Sequence, residues 1–149
     1  MKNFIHLNDD EKILVLNWRN SERVKVNMLT KNTISKKDHF KFIENLSQTT
    51  NKQYYLIDDI GVIYFTNIDD NSAEIALYSN PDKYNVGDKL MQYILSFKFT
   101  HLYLKVFKNN KRAINLYKKY NFKEIIKKEL DTKEMIYMEL NNENSNFNL

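Results

Sequence analysis

The stretch Lys105–Phe122, KVFKNNKRAINLYKKYNF, carries six basic residues and no acid in its first fifteen positions. Between the charges, Val106 and Phe107 read as a strand end. The pair Asn109–Asn110 then opens a helix running to Tyr120. In that helix Ala113, Leu116, Tyr117 and Tyr120 fall at i, i+3, i+4 and i+7, one buried stripe. Tyr117 differs from its neighbours because a buried phenol needs a partner for its hydroxyl, and that partner is either the core or a reacting group. So much positive charge beside a buried stripe calls for an anion.

Working outward, the chain has 149 residues, enough for one domain with its own core, expected over 1–140. The last segment, NNENSNFNL (141–149), lacks a burial pattern and is expected to be a disordered tail. There is no cysteine, which excludes disulfides, thiolate metal sites and cysteine nucleophiles and fits a reducing cytoplasm. The N-terminus reaches Asp9 and Asp10 before any long apolar run. No later segment has the roughly 18 apolar residues of a membrane span, so no membrane partner is expected. The formal charge of +4 admits an anionic ligand, but the basic residues form no continuous stripe interleaved with aromatics, and no nucleic-acid partner is expected. His6, His39 and His101 have no ligand-like spacing, so no metal is expected. With two glycines and one proline, asparagine has to supply the left-handed turn positions.

The pattern of periods predicts a mixed α and β chain. A strand FIHL (4–7) precedes a helix capped by Asn8 or Asp9, with Ile13, Leu14, Leu16 and Trp18 on its apolar side and Arg19 near its end. A loosely patterned stretch, 21–32, follows. Ser35 and Asp38 approximate a capping box for a second helix through Leu46, on which His39, Phe42, Ile43 and Leu46 share a face. Three strand-like runs, QYYLID, GVIYFTNI and AEIALYSN, then read as an antiparallel meander. After them come a polar loop, a helix DKLMQYILSFKF, a strand LYLKVF, the opening helix, and closing strands FKEIIKK and EMIYMEL. The loop PDKYNVGDKL ends a strand and opens a helix, a junction whose free backbone N–H groups suit a phosphate.

Taken together, strand, loop, helix, strand and the helix NNKRAINLYKKYNF resemble the GNAT acetyltransferase superfamily. Its later helix carries N-x-x-A-x-x-L-Y-x-x-x-G/N-F, matched here by Asn110, Ala113, Leu116, Tyr117, Asn121 and Phe122. Its phosphate loop, Q/R-x-x-G-x-G/A, is degenerate: Asp82 and Asn85 replace the first two signature residues, Gly87 is retained and Asp88 begins the helix. The resemblance implies an α+β fold with a mostly antiparallel sheet of about seven strands, splayed between strands 4 and 5 and flanked by helices. It also implies acetyl-CoA as co-substrate, bound by the strand edge at Ile75, Leu77 and Tyr78, by Lys83, Asn85, Val86, Gly87 and Asp88, and by Asn110 and Ala113. Tyr117 would be the general acid for the leaving thiolate, with direct attack by an amine. His39 and Glu74 are candidates for the proton acceptor.

The N-terminal half carries LNWRNSERVKVNMLT (16–30), with its W-R-N, then ISKKDHFKFIENL (34–46), with its I-S start and a His before an aromatic-rich helix, followed by KQYYLI, IYFTNID and EIALYSNP. With these it resembles the branch of the superfamily that acetylates the 4-amino group of UDP-4-amino-4,6-dideoxy-N-acetyl-β-L-altrosamine in pseudaminic acid biosynthesis, for flagellin glycosylation in bacteria. That likeness implies a UDP-amino-sugar substrate held by Arg19, His39, Thr66 and Tyr78. An acceptor that is a protein N-terminal amine or another amino sugar, and a non-catalytic nucleotide or nucleic-acid binding module on the same fold, remain alternatives. Edge strands leave a homodimer open.

Overall fold

The computed structural model describes residues 1–126 and 134–141. Its centre is the meander: β2 (Gln53–Ile57), β3 (Gly61–Thr66) and β4 (Ser72–Ser79) pair antiparallel. Because side chains alternate along a strand, Tyr55, Ile57, Ile63, Phe65, Ala73 and Ile75 pack into one core. Tyr54, Leu56, Val62, Tyr64 and Tyr78 belong to a second core on the opposite face. Short β1 (Lys2–Asn3) pairs with β2 at one edge. On the other side lie β5 (His101–Phe107), β7 (Met135–Asn141) and β6 (Lys123–Ile125), giving a seven-stranded sheet in the order β1-β2-β3-β4-β5-β7-β6.

The one parallel pairing among the described residues, β4 with β5, is short: Ser72, Ala73 and Glu74 oppose His101, Leu102 and Tyr103. From Ile75 onward β4 keeps β3 but has lost β5, whereas β5 stays paired to β7 through Phe107. The sheet therefore opens as a wedge, the splay expected of the fold.

Helices α1 (Asp9–Asn20), α2 (Glu22–Lys25) and α3 (Lys36–Leu46) bury Val15, Trp18, Val24, Ile43 and Leu46 against the core that holds Tyr78. Helices α4 (Gly87–Leu95) and α5 (Lys111–Lys119) bury Leu90, Met91, Ile94, Ile114 and Tyr117 against the other. Each such aliphatic side chain removed from water contributes about 1.5–3 kcal/mol. Asn8 caps α1 in a reciprocal capping box with Glu11, and Ser35 caps α3 by accepting from the Asp38 N–H.

Several local expectations change. Residues 4–6 form a 3-10 turn rather than a strand, because the Asn3 side chain accepts the Ile5 N–H and turns Phe4 and Leu7 into the same core. In α1 the buried residues are Val15, Leu16, Trp18 and Arg19, while Leu14 is exposed. The stretch 21–32 contains α2. Helix α4 stops at Leu95, where Ser96 turns its hydroxyl onto the Tyr93 carbonyl, and Phe97 and Phe99 pack on the core beyond the helix. Asn141 ends β7 instead of beginning a tail. Residues 142–149 and the end of FKEIIKK lie outside the described residues.

Asparagine does the turn work: Asn67, Asn85 and Asn121, with Asp58, hold positive φ, and neither glycine does. The glycines serve close approach. A Cβ at Gly61 would lie 2.6 Å from the Tyr78 carbonyl oxygen, and one at Gly87 would lie 2.9 Å from Leu116 Cδ2.

Candidate active site

The wedge between β4 and β5 opens into a cavity of about 1310 Å³, larger than the roughly 300–1,000 Å³ of a pocket for one small ligand. It is lined from both faces of the sheet. Arg19, Tyr64, Thr66, Glu74 and Tyr78 approach from the α1–α3 side, and Val86, Gly87, Asn110, Ala113 and Tyr117 from the α4–α5 side. Ile75, Leu77 and Tyr78 supply the unpaired β4 edge between them. This is the shape needed to bring two substrates together from opposite faces.

On the α4–α5 side the start of α4 has the features that suit an anion. Of the four helices of nine residues or more among the described residues, α1, α3 and α5 are capped by Asn8, Ser35 and Asn110, but α4 has no side-chain cap. Its first internal bond is Leu90 N–H to the Val86 carbonyl, so the N–H groups of Gly87, Asp88 and Lys89 stay unclaimed at the positive end of the dipole. Asn85, with φ of 59°, makes the turn, and Arg112 donates to its carboxamide oxygen at 3.0 Å. The missing Cβ at Gly87 lets the turn sit against Leu116 of α5. Asp88 is neutralised: Lys119 Nζ lies 2.7 Å from its carboxylate and the Tyr120 hydroxyl donates to it at 2.9 Å, which together hold its carboxyl below the usual range. The residues present thus fit a phosphate-bearing cofactor on a strand edge.

Tyr117 is 7% exposed, on α5, packed on Phe122 with ring centroids 5.8 Å apart. Among the described residues its hydroxyl makes no hydrogen bond, yet it is not sealed off, because the side chain lines the cavity. Burial pushes its pKa up, and the Tyr64 phenol adds to the effect, so at neutral pH the proton stays on the oxygen. It is a donor aimed at open space.

On the other face Arg19 dominates. It is 6% exposed; Nη2 donates to the Thr30 carbonyl at 2.6 Å, and Nη1 is buried with no partner. No carboxylate neutralises it among the described residues. Around it the Tyr54 and Tyr64 rings stack at 4.5 Å with 4° between planes, and Tyr78 lies 6.3 Å from Tyr64. Burial pushes Tyr64 up to about 12, offset in part by the Arg19 charge. Thr66 continues the same strand. Glu74 accepts from Asn67 Nδ2 at 3.1 Å and pairs with Lys105 at 3.5 Å. Among the described residues no group of three or more His, Cys, Asp or Glu side chains converges, and no helix is long and apolar enough to cross a membrane.

The structure brings the residues singled out in the sequence to this cavity, except two. His39 is buried on α3, and its Nε2 donates to the Lys12 carbonyl of α1 at 2.9 Å. Burial pushes its pKa down, so it is a neutral cross-link between helices. Lys83 pairs with Asp59 at 3.2 Å, outside the cavity lining. Residues that the sequence reading passed over are Tyr64, Lys105 and Arg23. Tyr64 lies two positions before Thr66, on the same face of its strand, and that spacing was an available signal; Arg23 is on α2, parted from Arg19 of α1 by the extended Ser21, so no helical spacing links the two.

The GNAT acetyltransferase family model matches residues 15–122. Acetyltransferase PseH of Campylobacter jejuni (serotype O:2, strain NCTC 11168) is 40% identical over 131 residues, 82% of this chain and 83% of that protein. PseH of C. jejuni strain 81-176 is 37% identical over the same shares. The crystal structure of C. jejuni N-acetyltransferase PseH in complex with acetyl coenzyme A superposes with a TM-score of 0.76 and 31% identity, over 94% of this chain and 96% of that one. A Vibrio cholerae spermidine N-acetyltransferase with CoA and spermine bound, 16% identical at TM-score 0.76 over 91% of this chain and 92% of that one, shares the fold. With the splayed strand, the uncapped α4 and the motif on α5 in place, this chain belongs to the GNAT family and is an acetyl-CoA-dependent N-acetyltransferase.

Proposed function

We propose that the acceptor is the 4-amino group of a UDP-4-amino-4,6-dideoxy-N-acetylaltrosamine type nucleotide sugar, so that the reaction is the acetylation step of pseudaminic acid biosynthesis, supplying flagellin glycosylation. The observation that carries this reading is Arg19, a buried guanidinium with an unpartnered Nη1 beside Tyr64 and Tyr78. An unpaired buried cation is costly unless an anion arrives to meet it. A nucleotide diphosphate suits a planar fork, and stacked phenols suit a uracil or a sugar face. The likeness to PseH supports the same acceptor class.

Bound acetyl-CoA supplies the activated thioester. Its pyrophosphate meets the free N–H groups of Gly87, Asp88 and Lys89, and its pantetheine arm pairs with the β4 edge in the strand position that β5 vacates. A backbone N–H at Leu77 or Tyr78 polarises the thioester carbonyl. The neutral amine attacks the carbonyl carbon and the C–S bond breaks. Tyr117 donates its hydroxyl proton to the departing sulfur. Glu74, oriented by Asn67 and Lys105, receives the amine proton through water. His39 contributes by holding α3 to α1.

The test is Arg19→Met. The reading predicts that KM for the UDP-amino sugar rises at least about tenfold, as befits loss of a charge-assisted contact, while KM for acetyl-CoA is unchanged. A KM for the sugar equal to wild type would remove Arg19 from the acceptor site and with it the main support for a nucleotide sugar.

A further inference from the structure

Arg23 reaches out of α2 to a segment nearly sixty residues away. Its Nη1 donates to two backbone carbonyls of the β4–α4 loop, those of Pro81 at 2.5 Å and Lys83 at 2.7 Å, and its guanidinium lies 4.0 Å from the centroid of the Tyr84 ring. Tyr84 is 65% exposed, so the stack is a surface shelf and not core packing. The next residues, Asn85 to Gly87, are the turn that opens the uncapped α4, and Arg112 holds Asn85 from the α5 side. The turn is thus gripped from both faces of the protein, by one arginine each.

Resting on the reading of that turn as the pyrophosphate seat, we infer that Arg23 is a positioning residue for acetyl-CoA, although it belongs to the helical unit that builds the acceptor side. The physical reason is local. A planar trans peptide that points its carbonyl at the guanidinium turns its N–H the opposite way; holding Lys83 C=O therefore fixes the direction of the Tyr84 N–H. Satisfying two carbonyl oxygens with a cation also removes partial negative charge next to an anion seat. A lysine reproduces this only in part: both bonds come from the one nitrogen Nη1, which an ammonium with three donors could imitate, but a point charge on a flexible stem does not lie flat on the Tyr84 phenol.

The experiment measures dissociation constants by competition for acetyl-CoA and for S-acetylpantetheine, which lacks the pyrophosphate, with wild type, Arg23→Ala, Arg23→Lys and Tyr84→Ala. The inference expects Arg23→Ala to weaken acetyl-CoA about tenfold, Arg23→Lys to recover less than half of that loss, and Tyr84→Ala to weaken it about threefold. S-acetylpantetheine should bind every variant as it binds wild type. Tyr84→Ala removes only an exposed ring, so its result stands even if Arg23→Ala folds poorly. Acetyl-CoA binding within twofold of wild type in Arg23→Ala, or in Tyr84→Ala, would overturn the inference, as would full rescue by lysine. If wild type itself did not prefer acetyl-CoA over S-acetylpantetheine, the reading of the turn as a pyrophosphate seat would fall first, and the role of Arg23 with it.

Discussion

Asp88 and Lys119 meet at 2.7 Å across the contact between α4 and α5, with the Tyr120 hydroxyl donating to the same carboxylate. This pairing explains how an acid can stand in the first turn of the helix proposed to receive the pyrophosphate. The pairing keeps the Asp88 carboxyl below its ordinary value, so the ion pair persists through the neutral range and is lost only as pH falls through that lowered value. Breaking it from one side exposes the anion. Lys119→Ala is expected to weaken acetyl-CoA binding several-fold, and more so at low salt, whereas Asp88→Asn should bind at least as tightly as wild type. Titrations at two ionic strengths check both.

Tyr117→Phe separates chemistry from folding. Because the hydroxyl has no protein partner among the described residues, its removal leaves the packing on Phe122 intact, and Tm should change little. Turnover should fall by about 10²–10⁴, the usual contribution of a positioned acid. A variant with normal kcat would remove Tyr117 from the reaction. Tyr117→Ala is a different experiment, since an emptied core site costs about 3–5 kcal/mol.

Arg19→Met is expected to be as stable as wild type or more so. The substitution removes a buried nitrogen that has no partner, and the Thr30 carbonyl that loses Nη2 belongs to an exposed residue that water can reach, so an apolar side chain of similar length replaces the guanidinium at little cost. Thermal denaturation reads this out. A large drop in Tm would mean that Arg19 holds the fold together through Thr30 and is not kept for a ligand.

The two glycines should fail differently. Gly87→Ala pushes a methyl against the end of the Leu116 side chain, which can rotate, so a loss of about 1–3 kcal/mol is expected together with weaker acetyl-CoA binding. Gly61→Ala meets the backbone oxygen of Tyr78, which cannot move without disturbing the β3–β4 ladder, and should be the more destabilising of the two. Chemical denaturation of both variants gives the order.

His39 makes the fold sensitive to acid. Its pKa is lowered in the folded protein, so below the ordinary value near 6.5 the unfolded chain takes up a proton that the folded chain refuses. Stability should therefore be fully present above that pH and decline as pH falls below it. In His39→Gln, which keeps an N–H for the Lys12 carbonyl but does not titrate, Tm should fall less between pH 7 and 5.

Much of this architecture was legible because periodicity reports burial. The alternation in β2 to β4 and the stripe Ala113, Leu116, Tyr117 in α5 each fixed a face, and the spacing of His39, Ile43 and Leu46 correctly described one side of α3. What could not be read was which tertiary partner each polar side chain would find. His39 and Arg19 look equally suited to a ligand in the sequence. They part only because Lys12 offers a carbonyl to one, while Thr30 satisfies a single nitrogen of the other. That Asp88 is neutralised could not be read either, since its partners Lys119 and Tyr120 lie about thirty positions away. Arg23 was invisible for the same reason, as its partners lie in a loop far along the chain.

The most direct test of the central claim is the initial rate of thiol release from acetyl-CoA with the UDP-4-amino sugar as acceptor, beside a panel of N-terminal peptides and a no-acceptor control. The account predicts release that saturates with the sugar, is absent with peptides and collapses in Tyr117→Phe. Release with peptides but not with the sugar would contradict it, and so would acetyl-CoA binding with no turnover on any acceptor.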